Sequence, residues 1–117
     1  MSEPKELGTL EVTERGFEVI KFTDRYGAEC SLQQSSLAEA LQPGWSAIWL
    51  GPDDAKPQIL ASQAKAYGVK TKETEGWIPY PVPDAVMMTT RMHLDFEQVK
   101  SLIATLQKWV DTGSFNK

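Results

Sequence analysis

Cysteine is nearly missing from this chain of 117 residues: Cys30 stands alone, so no disulfide can close within it. A single cysteine between strand-forming residues reads as a small buried hydrophobe rather than a reactive thiol, and it fits a reducing compartment. Histidine is as scarce. With His93 alone, a His-rich metal site or a Cys/His cluster cannot be built, and neither a metal nor a cofactor is expected. Basic residues are outnumbered, 12 against 16, and the net charge of −4 argues against non-specific nucleic-acid binding. No apolar run approaches a membrane span. The opening MSEPKELG lacks the apolar centre of a secretory signal, so a cytoplasmic location is expected. Phosphate-binding loops, dinucleotide fingerprints, calcium loops and nucleophile elbows are all missing, which removes the usual sequence support for an enzyme.

What is present reads as one α+β domain over residues 9–117, behind a flexible tail of residues 1–8. Leu10 and Val12 alternate with Glu11 and Thr13, the period of a half-buried strand. Arg15-Gly16 is a turn, and FEVIKFT (17–23) is the returning strand. Phe17 and Val19 share one face and Ile20 and Phe22 the other, which requires either cover on both faces or a bulge. Asp24-Arg25-Tyr26-Gly27 is a tight turn, followed by a strand from about Ala28 to Ser35. Ala28, Cys30 and Leu32 are expected inward, and Glu29, Ser31, Gln33 and Ser35 outward.

Ser36 and Glu39 fit a capping box for a short helical turn that Gln42-Pro43-Gly44 would end. AIWL (47–50) is a short apolar strand stopped by Gly51-Pro52. Residues 57–67 are predicted helical, with Pro57 in the first turn, a stripe of Leu60, Ala64 and Tyr67, and Gly68 as stop. GWIPYPVPD (76–84) is extended, because prolines 79, 81 and 83 forbid a helix or a central strand. Residues 86–94 return to a strand pattern. Asp95 and Gln98 then open an amphipathic helix over about 95–112, with Val99, Leu102, Ile103, Leu106 and Val110 as its stripe and Gly113 as its stop. About five mostly antiparallel strands packed against this helix is the predicted architecture.

The polar faces carry the functional expectation. Ser31, Gln33 and Ser35 alternate on one strand, Thr89, Arg91 and His93 on another, and Trp49 should face opposite Ile48 and Leu50. Were these strands neighbours, they would offer neutral donors and acceptors, one guanidinium, one imidazole and an aromatic plane. That set suits an anionic ligand with a ring: arginine grips phosphate or carboxylate as a fork, and Trp49 or Tyr26 offers a stacking face. The bland alternative is a wet face of an antiparallel sheet, on which Ser, Thr and Gln are acceptable. Trp77 and Tyr80, in the proline-stiffened segment, form a second candidate surface, for a partner protein or as a lid. Asp53-Asp54 reads as turn and capping chemistry. A small hydrolase would need that pair and His93 to meet in one cleft.

The series FTDRYGAECSLQQSSLA, AIWLG, GWIPYPVPD and TTRMHLDFEQVKSLIATLQKWVDTG resembles a family of small uncharacterised proteins of bacteriophages and prophage regions, over most of residues 17–113. No activity comes with the resemblance. It implies that residues 39–46 are an insertion and that the protein acts inside a bacterial host by binding. The function expected first is a non-enzymatic, homo-oligomeric counter-defence protein that sequesters a small nucleotide-like signal. The second is an inhibitor of a host defence or regulatory protein through Trp77 and Tyr80, and the third is the hydrolase.

Overall fold

A computed structural model describes residues 4–35 and 47–116. The described chain divides into two compact units, one of residues up to 53 and from 91 onward, the other of residues 54–90. The expected short helix at Ser36–Glu39, its stop at 42–44 and the insertion at 39–46 lie outside the described residues.

The first unit is a five-stranded antiparallel sheet with a C-terminal helix packed against it, an α+β fold. Its strands are β1 (Thr9–Val12), β2 (Glu18–Thr23), β3 (Glu29–Gln34), β4 (Ala47–Pro52) and β7 (Met92–Asp95), in the spatial order β1-β2-β3-β4-β7. The β1–β2 loop closes on Thr13. Its N–H donates to the Phe17 carbonyl, while its carbonyl accepts from Gly16 N–H. The β2–β3 turn is held by Asp24, whose Oδ1 accepts from the Tyr26 and Ala28 amides at 2.8 and 3.0 Å. Gly27 closes this turn at φ 89°, a conformation a side chain would oppose.

Pairing along β2 is continuous on both sides, so the two-faced FEVIKFT pattern is met without a bulge. Because directly paired residues share a face, the register sorts the sheet into two surfaces. One is apolar: Leu10, Ile20, Leu32, Leu50 and Met92 form a row across all five strands. The other carries Glu11, Val19, Gln33, Trp49 and His93 in a matching row.

The outward expectation for β3 needs correction at two of its serines. Ser31 and Ser35 are buried, as is Cys30 on the other face. The cause for Ser31 is non-local. Asp53, the residue after β4, prolongs the β3–β4 ladder: its N–H donates to the Glu29 carbonyl, and its Oδ1 accepts from Ser31 Oγ at 2.5 Å. Ala28 is exposed rather than inward, being part of the turn. The residues 86–94 expected as one strand form a strand only at Met92–Asp95.

The C-terminal helix, α2 (Phe96–Thr112), has the expected ends. Asp95 Oδ1 accepts from the Gln98 amide at 2.8 Å, the Gln98 side chain accepts from the Asp95 amide at 3.0 Å, and Gly113 closes the helix left-handed. The helix meets the sheet along β7, over a groove lined by Met92, Leu94, Gln98, Ser101, Leu102 and Thr105. Its apolar stripe is largely uncovered: Val99 and Leu102 are half-buried, while Ile103, Leu106 and Val110 are exposed.

In the second unit, β5 (Gln58–Leu60) pairs antiparallel with β6 (Trp77–Pro79), followed in sequence by α1 (Ala61–Ala64) and a single 3-10 turn at Lys65–Tyr67. The helix predicted from Pro57 therefore begins four residues late, because Gln58–Leu60 gain ladder partners in β6. Ala61, Ala64 and Ile78 form the core of this unit, with Ile59 and Val69 against it. The proline-rich segment serves as an edge strand, where a missing N–H is tolerated.

Candidate functional site

Period-two alternation and antiparallel register bring Gln33, Trp49 and His93 into one line on the polar face of the sheet, since Gln33 pairs with Trp49 and Trp49 with His93. The rings of Trp49 and His93 stack, with centroids 4.9 Å apart and planes 10° from parallel. Arg91, immediately before β7, places its guanidinium carbon 5.1 Å from the centre of the Trp49 ring. An arginine over an indole is attracted by the negative ring face and loses some freedom in being held there. Among the described residues no carboxylate pairs with Arg91.

On the β3 side, Trp49 and Gln33 line a cavity of about 330 Å³ completed by Thr13, Glu14, Arg15 and Phe17 of the β1–β2 loop. Arg15 lies 5.5 Å from the centre of the Phe17 ring, a second guanidinium on an aromatic face and likewise in no ion pair among the described residues. The cavity thus holds two aromatic rings, one guanidinium, one amide and one acid, Glu14, while Arg91 and His93 flank Trp49 and are not part of the cavity lining. A ligand of matching chemistry has a flat ring and a negative group: rings stack on Trp and Phe, and guanidinium forks grip oxyanions.

Arg15 and Phe17 were not singled out by sequence reasoning, which took Arg15-Gly16 as a turn only. The available signal was Phe17's spacing from Val19. Phe17, the last loop residue before β2, stands two residues from Val19, which pairs with Gln33.

The other expected site residues are distributed differently. Tyr26, 88% exposed, sits at the β2–β3 turn. Four residues separate Glu29 at that end from Gln33, about 13 Å at strand rise, so Tyr26 is not brought to the Trp49 cavity. Ser31 is engaged by Asp53 and Ser35 is buried, and neither lines the cavity. Thr89 is exposed, outside any strand, and belongs to the second unit. In that unit Trp77 is 64% exposed opposite the exposed Leu60, and Tyr80 donates its amide to the Pro57 carbonyl at 3.0 Å.

A larger cavity, about 610 Å³, lies at the far end of β2 and β3, lined by Gly8, Lys21, Phe22, Glu29, Cys30 and Asp53 among others. Its charges are largely matched internally: Lys21 Nζ is 3.7 Å from Asp53 Oδ2, and Asp53 also holds Ser31. Gly8 is required there, since a Cβ would fall 2.0 Å from the Lys21 carbonyl oxygen. Burial, and then the charges of Asp24 and Asp53, push the Cys30 thiol above its ordinary range, away from nucleophilic reactivity.

His93 is stacked on Trp49 and shares no hydrogen bond or ion pair with Asp53, whose carboxylate is held by Ser31 and Lys21. Among the described residues no three His, Cys, Asp or Glu side chains gather as around a metal ion, and no helix is long and apolar enough to cross a membrane. No family model, no curated protein and no solved structure matches this chain.

Proposed function

We propose that this is a non-enzymatic binding protein for a small anionic ligand carrying a flat ring, of the nucleotide class, held on the polar face of the five-stranded sheet. The observation that carries the reading is Arg91 lying over Trp49, itself in register with Gln33. Trp49 supplies a ring face, Gln33 an amide that reads donors and acceptors on the ligand, and Arg91 with Arg15 the positive charge for a phosphate. His93 sets the indole's tilt. In a phage-type protein without enzyme motifs, such capture serves counter-defence by withdrawing a nucleotide signal from its receptor.

A thermal-shift screen with cyclic nucleotides and ADP-ribose derivatives tests this. A ligand of this kind raises the unfolding temperature of the native chain, and Arg91→Ala removes the rise. No stabilisation across the panel, or an undiminished rise in Arg91→Ala, overturns it.

The exposure of Trp77 opposite Leu60 supports a second reading, inhibition of a host protein through that surface. A stable complex formed with host lysate and abolished by Trp77→Ala with Tyr80→Ala would favour it over capture of a small molecule.

A further inference from the structure

We infer that a second copy of this chain covers the apolar face of the sheet together with the uncovered stripe of α2, making the protein a two-fold dimer. The inference does not depend on the ligand reading, because it concerns the opposite face of the sheet.

The helix is sharply two-sided. Glu97, Lys100, Lys108 and Asp111 fall on one side at helical spacing, with Lys100 and Glu97 joined at 3.3 Å. Val99, Leu102, Ile103, Leu106 and Val110 fall on the other, flanked by Phe96 and Trp109. The helix residues turned into the groove beside β7 are Glu97, Gln98, Ser101, Leu102 and Thr105. They centre about a third of a turn from the stripe at 100° per residue. The intramolecular contact therefore uses a mostly polar side of the helix and leaves the apolar side open. Ile103 and Val110 remain 62% and 64% exposed.

Leu102 joins this stripe to Met92 and Leu94, which line the same groove and belong to the apolar face of the sheet. Leu10 and Met92, the two ends of the Leu10–Ile20–Leu32–Leu50–Met92 row, are also exposed. The exposed parts of Phe96, Ile103, Leu106, Trp109 and Val110 amount to about 500 Å², at the upper range for the largest patch on a monomer. Met92 extends this patch onto the sheet, and Leu10 marks the far edge of the apolar face, four strand spacings or about 19 Å away. A standard stable interface takes about 800 Å² from each partner.

The occupant argued from this area is a second copy, and the charge pattern agrees. A two-fold axis sets a patch against itself, so any charge inside it would meet its own like. The stripe carries none, and on the apolar strand face Glu18 lies at the β1–β2 end; the acids nearest the helix, Asp95 and Glu97, line the groove at its N-terminus rather than the stripe.

Sedimentation equilibrium of the full chain over a hundredfold concentration range tests this. The expected result is twice the 13.1 kDa chain mass for the native protein, and the single-chain mass for Ile103→Glu with Val110→Glu. Far-UV circular dichroism checks that the variant keeps its helix. Should it unfold, hydrogen exchange of the native chain replaces it, with amides of α2 gaining protection as concentration rises. A native chain that stays at single mass throughout overturns the inference. So does a dimer that the folded variant leaves intact, or α2 protection that ignores concentration.

Discussion

Trp49 and His93 lie side by side on adjacent strands with their rings 4.9 Å apart and nearly parallel. This pair holds the indole on the polar face one strand in from the edge, with Arg91 over it and the Gln33 cavity beside it. The stack and the guanidinium both come from the β7 side, so the placing of the indole depends on an edge strand being held in register.

Replacing His93 by Ala removes the stacked ring while leaving the indole. The expected loss of stability is about 0.5–1.5 kcal/mol, the range for an aromatic pair. Urea unfolding followed by circular dichroism measures it. His93→Phe, which keeps a ring, is expected to recover most of that loss.

Ser31→Ala separates a structural serine from a ligand-binding one. The hydroxyl is buried and donates to Asp53, a charge-assisted bond. Its removal is expected to destabilise the fold by about 1–3 kcal/mol, with Asp53 left to Lys21 alone. Affinity for a ligand at Trp49 should stay unchanged, as titration of the folded variant would show.

Asp95→Ala opens the capping box of α2. Loss of a carboxylate cap costs about 0.5–2 kcal/mol. The effect should appear in the denaturation midpoint and as faster amide exchange in the first turn. Asp95→Ser, which keeps an acceptor for the Gln98 amide, should restore most of it.

Cys30 gives a signed pH dependence. Its thiol is raised above the ordinary 9.0 by burial first, and by Asp24 and Asp53 after that. A folded value above the unfolded one means that stability is complete below about that value and falls as the pH climbs through the folded one. The native chain should therefore lose more stability between neutral and strongly alkaline pH than Cys30→Ala does. Alkylation of the folded thiol at pH 8 should also lag well behind that of the unfolded chain.

The sequence made some of these relationships readable and hid others. Where local chemistry decides, it sufficed: Asp95 with Gln98 opens α2, Gly113 closes it, and Asp24 holds the β2–β3 turn. Strict alternation also sufficed to set Trp49 opposite Ile48 and Leu50, while its sharing a face with Gln33 and His93 follows only from the register. Ser31 could not be placed that way, because the partner that buries it, Asp53, arrives from 22 residues away. Gln58–Leu60 resembled the start of a helix until Trp77–Pro79 supplied ladder partners. The stripe of α2 was legible as apolar, but its spacing does not say whether the cover comes from the same chain. Arg15 and Phe17 reach the site because the β1–β2 loop folds beside Trp49, a placement only register reveals.

The most direct test of the binding site is a nuclear magnetic resonance titration of the isotopically labelled protein with a cyclic nucleotide and with ADP-ribose, followed residue by residue. The expected result is saturable shifts concentrated at Gln33, Trp49, Arg91 and His93, including the Trp49 indole N–H, and their disappearance in Arg91→Ala. Silent spectra, or shifts gathered elsewhere and indifferent to Arg91, would contradict a ligand site built on that guanidinium and that ring.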